Sequence, residues 1–226
     1  MQLREVDNVI DHALPDLCSP FLDALPISGV SIAVFSETGA QFTLSSSDEV
    51  AARIDELQFE LGEGPQLLTA GTGEVTMIPD VLENVHRDWP MFAAAVSALP
   101  VRAIFSLPMK MGAVTVGVAT LYRDLPGALS ENEQISGIAI ASAIASAAVE
   151  RATVSATDDA TTETATAPAL RREVHQATGM ILVQLETTAT IAYSRLRAYA
   201  FANGRTVQSV AHDVVTRALV FDDETP

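Results

Sequence analysis

The sequence predicts an α+β protein: an N-terminal domain with an antiparallel sheet flanked by helices, followed by a C-terminal bundle of three helices. Three observations lead there. β-Rich runs come in pairs joined by turn signals, and amphipathic helical stretches fall between and after them. A segment with no large apolar residue after Val154, RATVSATDDATTETATAPA (151–169), divides the chain, because such a composition cannot bury a core face. The expected domains are therefore 1–152 and 169–221, with 153–168 as linker.

Taken in order, residues 2–14 suit a short helix. GVSIAVFS (29–36) and AQFTLSSS (40–47) read as a hairpin around Glu37-Thr38-Gly39. DEVAARIDELQFELGEG (48–64) has helical spacing through Val50, Ile54, Leu57 and Leu61 and stops at Gly62 and Gly64. A short strand spans 74–78, a helix spans 89–99, and RAIFSLPMKM (102–111) with AVTVGVATLYR (113–123) forms a second hairpin. Residues 130–152 make a long Ala-rich helix entered through a capping box, Ser130 with Glu133 three positions on. Its small residues Gly137, Ala141, Ala145 and Ala148 permit close helix packing, which with a thin C-terminal core predicts a homodimer.

Composition narrows the function. The chain of 226 residues is 48% apolar and 19% charged, which excludes wholesale disorder. Cys18 stands alone, so an intramolecular disulfide, a Cys-based zinc site and an iron–sulfur cluster are excluded. The N-terminus lacks the pattern of a signal peptide, and GIAIASAIASAAV (137–149) falls short of the ~20 residues of a spanning helix, so a soluble, cytoplasmic protein without membrane attachment is expected. No phosphate loop, metal-spaced histidine pair or nucleophile elbow is present, and the four histidines (12, 86, 175, 212) are scattered. Catalysis and a cofactor are not expected. The net charge of -16 is uneven: residues 1–167 carry 7 cations against 23 acids, whereas 168–220 carry 6 arginines against 3 acids. A polyanion would meet the C-terminal part.

LGEGPQLLTAGTGEVTMIPDV (61–81), the WPMFAAAV helix and the paired strands through Tyr122 resemble a GAF domain over about residues 10–150. That resemblance implies a PAS-like sensory fold with a ligand pocket beside its sheet. The Asn/Lys/Phe/Asp/Glu set of cyclic-nucleotide-binding members finds no match. Cys18 precedes the first strand and reads as a small core residue rather than a bilin attachment point; His86 reads as a loop histidine rather than a haem ligand, and Trp89 as a helix-start anchor. The module serves as sensor of an unidentified small molecule or as dimerising scaffold.

The C-terminal helices are legible from their stripes: Leu170, Val174, Ala177, Ile181 and Leu185; then Ala192, Leu196, Tyr199 and Ala200; then Val207, Val210, Ala211, Val214 and Ala218. The second is entered near Thr187-Thr188 and ended by Asn203-Gly204, and the third is capped by Thr206. QATGMILVQL…IAYSRLRAYAFANGRTVQSVAHDVV (176–215) closely resembles the ANTAR domain, an RNA-binding module of bacterial transcription antiterminators. The likeness rests on Ala177-Thr178-Gly179, on Ala192 with Leu196-Arg197 and Ala200, and on Arg205 with Val210-Ala211. It implies binding to paired hairpins in nascent leader RNA, usually as a dimer, and thereby an indirect action on the transcription machinery. Many members carry lysine where this chain has Thr178, a departure that bears on phosphate contact there.

Helical geometry places Gly179 about 180° from Leu170, on a face with Arg172, Gln176 and Val183. A mid-helix glycine costs ~1 kcal/mol relative to alanine, a cost explained by close approach of RNA or a partner helix. Arg195 and Arg197 flank the second stripe, Arg205 precedes the third helix, and Tyr193 and Tyr199 are available for stacking or core. The expected RNA surface is Arg172, Gln176, Gly179, Arg195, Arg197 and Arg205. A DNA-binding regulator with a three-helix tail is the alternative, but TVQSVAHDVVTRAL is close to neutral where a recognition helix needs cations. A binding-only protein worked through its first domain is the third reading.

Overall fold

The structure is a computed structural model that describes residues 16–36, 41–84, 89–158 and 166–222. The helix expected over 2–14, the 37–39 turn, His12 and His86 lie outside the described residues. A five-stranded sheet forms the centre, in the order β2-β1-β5-β4-β3. Its strands are β1 (Gly29–Phe35), β2 (Gln41–Ser46), β3 (Thr76–Ile78), β4 (Ala103–Met111) and β5 (Val114–Arg123), with all neighbours antiparallel. Both expected hairpins form. The second turns at Gly112, whose φ of 63° favours glycine.

Alternation sorts the strand residues onto two faces. On one, Val30, Ile32 and Val34 line up with Phe105, Leu107, Ala119 and Leu121, and α1 (Ser19–Ala24) and α6 (Glu131–Asp158) cover them. The capping box of α6 is made: Ser130 N donates to Glu133 Oε2 at 2.6 Å and Glu133 N to Ser130 Oγ at 3.4 Å. The helix continues to Asp158, past the expected end at residue 152. Its small residues have a different role from the one expected. Ala141, Ala145 and Ala148 are buried against the sheet, and a Cβ on Gly137 would lie 2.7 Å from Leu107 Cδ1. The stripe therefore lets α6 sit close on the sheet, while Ile135 and Ile138 face outward. By length and composition alone, Glu131–Thr153 of α6 is also long and apolar enough to cross a membrane, a test that a core helix packed on a sheet passes too.

The other face receives α2 (Glu49–Leu61), α3 (Pro65–Thr72), α4 (Val81–Asn84) and α5 (Pro90–Val96). Ile54, Leu57, Phe92 and Val96 meet Ile104, Ile78 and Tyr122 there. Asp48 caps α2 by accepting from Val50 N and Ala51 N at 2.8 and 2.9 Å. The short helices α3 and α4 are absent from the sequence expectation. Between α2 and α3, Gly62 and Gly64 take φ of 65° and 128°, which turns Glu63 inward. Glu63 Oε2 then accepts from Met91 N and Phe92 N, closing the start of α5 where Trp89 anchors it.

The C-terminal helices are α7 (Thr166–Gln184), α8 (Ala189–Ala202) and α9 (Val207–Val215). Thr188 and Thr206 cap α8 and α9, accepting from Ile191 N at 3.3 Å and Ser209 N at 3.0 Å. Val174, Ala177 and Ile181 interlock with Ala192, Leu196, Ala200, Val207, Val210, Ala211 and Val214. Ala218 departs from its expected stripe and is exposed, because α9 ends at Val215 and the chain turns. Phe221 takes its place in the core, held by a hydrogen bond from its N–H to Gln184 Oε1 at 3.0 Å. The Leu170 side chain lies outside the described residues.

Candidate functional site

The α2–α3 face of the sheet carries polar residues where an apolar layer would be simpler. Register places Ser46, Ser31, Thr120, Ser106 and Thr76 beside one another, a row of hydroxyls across all five strands. Above it Asp55 is fully buried and accepts from Gln41 Nε2 and Gln66 Nε2, each at 3.0 Å, and from the Thr43 hydroxyl. Gln66 Oε1 accepts from Thr120 Oγ1 at 2.9 Å and Gln58 Nε2 at 3.3 Å, and Thr69 Oγ1 donates to Thr76 at 2.8 Å. These side chains bond to one another over the row. Ser31 Oγ and Gln41 Oε1 remain buried without a hydrogen-bond partner. Tyr122 borders the cluster; burial and the neighbouring Asp48 carboxylate, 3.1 Å from its hydroxyl, push its pKa up to about 12.

Cys18 is a core residue, its Sγ 3.3 Å from Ser45 Oγ, and burial pushes the thiol up. Among the described residues no group of three His, Cys, Asp or Glu side chains is placed to hold a metal.

The residues expected to face RNA are placed differently from one another. Gln176 and Gly179 share the outer side of α7 with Val183, which is 72% exposed, and a Cβ on Gly179 would meet nothing within 4 Å. Thr178 faces inward; its hydroxyl donates to the Val174 carbonyl at 2.8 Å, so that position presents no phosphate donor. Arg205, in the turn before α9, is bound to two residues of that helix, to Asp213 Oδ2 at 2.7 Å and to Ser209 Oγ at 2.7 Å. Arg195 is half-buried on α8, and the Arg172 side chain lies outside the described residues. Tyr199 meets Phe221 edge-on at 5.4 Å, a packing role.

Arg197 turns away from the others, toward the sheet domain. Its Nη2 donates to the Gly62 carbonyl, and its guanidinium lies 5.9 Å from the Tyr193 ring centroid. A Cβ at residue 62 would lie 2.9 Å from Arg197 Nε and would push that side chain aside. Two further contacts join the modules: Phe59 of α2 enters the core of the three-helix module, and Phe42 of β2 stacks on His175 at 5.2 Å. Sequence patterning gives no sign of them, because Phe59 and Phe42 read as ordinary members of their own elements.

Comparison with solved structures supplies the fold context. A domain of a two-component sensor histidine kinase protein from Sinorhizobium meliloti matches at TM-score 0.50 and 14% identity, over 66% of this chain and 97% of that one. The GAF domain region of a membrane protein from Geobacter sulfurreducens gives 0.49 and 16%, over 58% and 87%. A GAF domain/HD domain protein from the same organism gives 0.47 and 14%, over 61% and 90%. At such identity the likeness is one of fold: the antiparallel sheet flanked by helices is shared with the Sinorhizobium domain. No protein-family model matches the chain, and neither does any curated protein.

Proposed function

We propose that the chain is a two-module regulator: a GAF-type sensory module controls an ANTAR-type module that binds hairpins in nascent RNA and so governs transcription termination. The observation that carries this reading is the outer side of α7. Gln176, Gly179 and Val183 form an open strip there, and the glycine leaves its backbone accessible to a close partner. The charge division supports it, since the C-terminal segment holds 6 of the 13 cations in the chain while residues 1–167 are strongly acidic. The docking of Arg197 against Gly62 gives the sensory module a direct hold on one expected RNA-facing residue. A homodimer is part of the proposal, with Ile135 and Ile138 on the outer side of α6 as its apolar contact. Cytoplasmic location follows from the same reading.

A DNA-binding tail fits less well. On α9, His212 meets Glu173 at 2.8 Å and Asp213 meets Arg205, so the side that would enter a groove is close to neutral.

Gel shifts of the full chain with tandem-hairpin RNA and with duplex DNA, over a series of salt concentrations, test the proposal. RNA should bind and DNA should not. Gly179→Leu should weaken RNA binding at least tenfold while helicity is retained. Loss of one phosphate-contacting arginine should lower the salt slope by ~0.7. Equal binding of both nucleic acids, or an unaffected Gly179→Leu variant, refutes it.

A further inference from the structure

A cleft of about 850 Å³ opens where the ends of the strands meet α8, with Leu67, Ala70 and Gly71 of α3 in its lining. Phe35, Phe42 and Val114 from the sheet and Val149 from α6 give it apolar walls, and Tyr193 and Arg197 close it from the C-terminal module. Its volume lies in the range of small-molecule sites, ~300–1,000 Å³. Its one charged wall residue among the described residues is Arg197, and no Asp or Glu lines it. Arg197 has no carboxylate partner among the described residues; its Nε is buried without a hydrogen bond, and its guanidinium is met only by a carbonyl and a ring. Arg197 is half-buried, and an anion in the cleft would give it a charge-assisted bond about twice as strong as a bond to a neutral acceptor.

We propose that this cleft binds a small amphipathic carboxylate, its apolar body against Phe35, Phe42, Val114 and Val149 and its carboxylate on Arg197. Because both modules supply walls, the occupant senses their docking, and its binding is coupled to the position of α8. The inference stands apart from the RNA reading: it requires the cleft and Arg197, not a nucleic acid.

Isothermal titration of the full chain with decanoate and with naphthoate is the test, with decanol and naphthalene methanol as uncharged counterparts. At least one acid should bind with one-to-one stoichiometry, and its alcohol at least about tenfold more weakly, as expected for a lost charge-assisted hydrogen bond. Arg197→Met should bring acid binding down to that of the alcohol. Val114→Trp, at a position 63% exposed and therefore tolerant of bulk, should fill the cleft and abolish binding of both. Circular dichroism checks that each variant is folded. No binding by either acid, equal binding of acid and alcohol, or unchanged acid affinity in folded Arg197→Met or Val114→Trp overturns the proposal.

Discussion

Replacing Asp55 with alanine should be among the most damaging single changes in the sheet domain. The side chain is fully buried and accepts from Gln41, Gln66 and Thr43. Truncation strands those donors, and each buried one left unpaired costs ~1–3 kcal/mol. Gln41 and Gln66 are sealed from solvent, whereas Thr43 is half-exposed and can turn to water. The sum is therefore about 2–6 kcal/mol, in the range where a marginally stable domain begins to unfold. Asp55→Asn retains one acceptor oxygen but sets its amide against the glutamine amides, so it should fall between wild type and alanine. Urea unfolding followed through Trp89, the single tryptophan, reads the difference. A loss below about 1 kcal/mol for Asp55→Ala would show that the cluster is not what holds α2 and α3 to the sheet.

Three further outcomes are expected. The phenol of Tyr122 titrates at about 12 in the folded chain against ~10 unfolded, so its proton stabilises the fold below pH ~10 and that contribution, about 3 kcal/mol, is lost as pH rises through 12; Tyr122→Phe should flatten the stability profile between those limits. Gly137→Leu should lower the melting temperature sharply, because the new side chain meets Leu107 on a close-packed face, and an unchanged melting curve would refute that packing. Sedimentation should show a dimer at tens of micromolar that Ile135→Glu with Ile138→Glu converts to monomer; a monomeric wild type would rule out the outer side of α6 as an interface.

The parts of the fold legible in the sequence are those governed by local rules. Alternation over 102–123 sets β4 and β5, Ser130 with Glu133 starts α6, and Thr188 and Thr206 start α8 and α9 because each hydroxyl meets an N–H within its own segment. Helix α3 escapes because eight residues beginning at Pro65 are too few to display a period. The small residues of α6 are equally suited to a partner helix or a sheet, and only the position of Leu107 decides between them. The candidate site was legible in part. Gly179 falls on the open side that 3.6-residue geometry assigns it, whereas the inward turn of Arg197 depends on Gly62, 135 residues earlier, and no spacing rule reaches that far.

Phe59 belongs to α2 by sequence and to the C-terminal core by contact. The tail domain thus has a borrowed wall, and its cooperativity is not its own. Melting of α2 removes an aromatic ring from the interior of the three-helix module, and loosening of that module uncovers a phenylalanine on α2. The two modules should consequently share a single unfolding transition, and an excised tail should behave as a weakly ordered helical ensemble until something covers the vacated site. A displacement of α2 by a fraction of a helical turn would therefore act on the rigidity of the three-helix module as well as on its position.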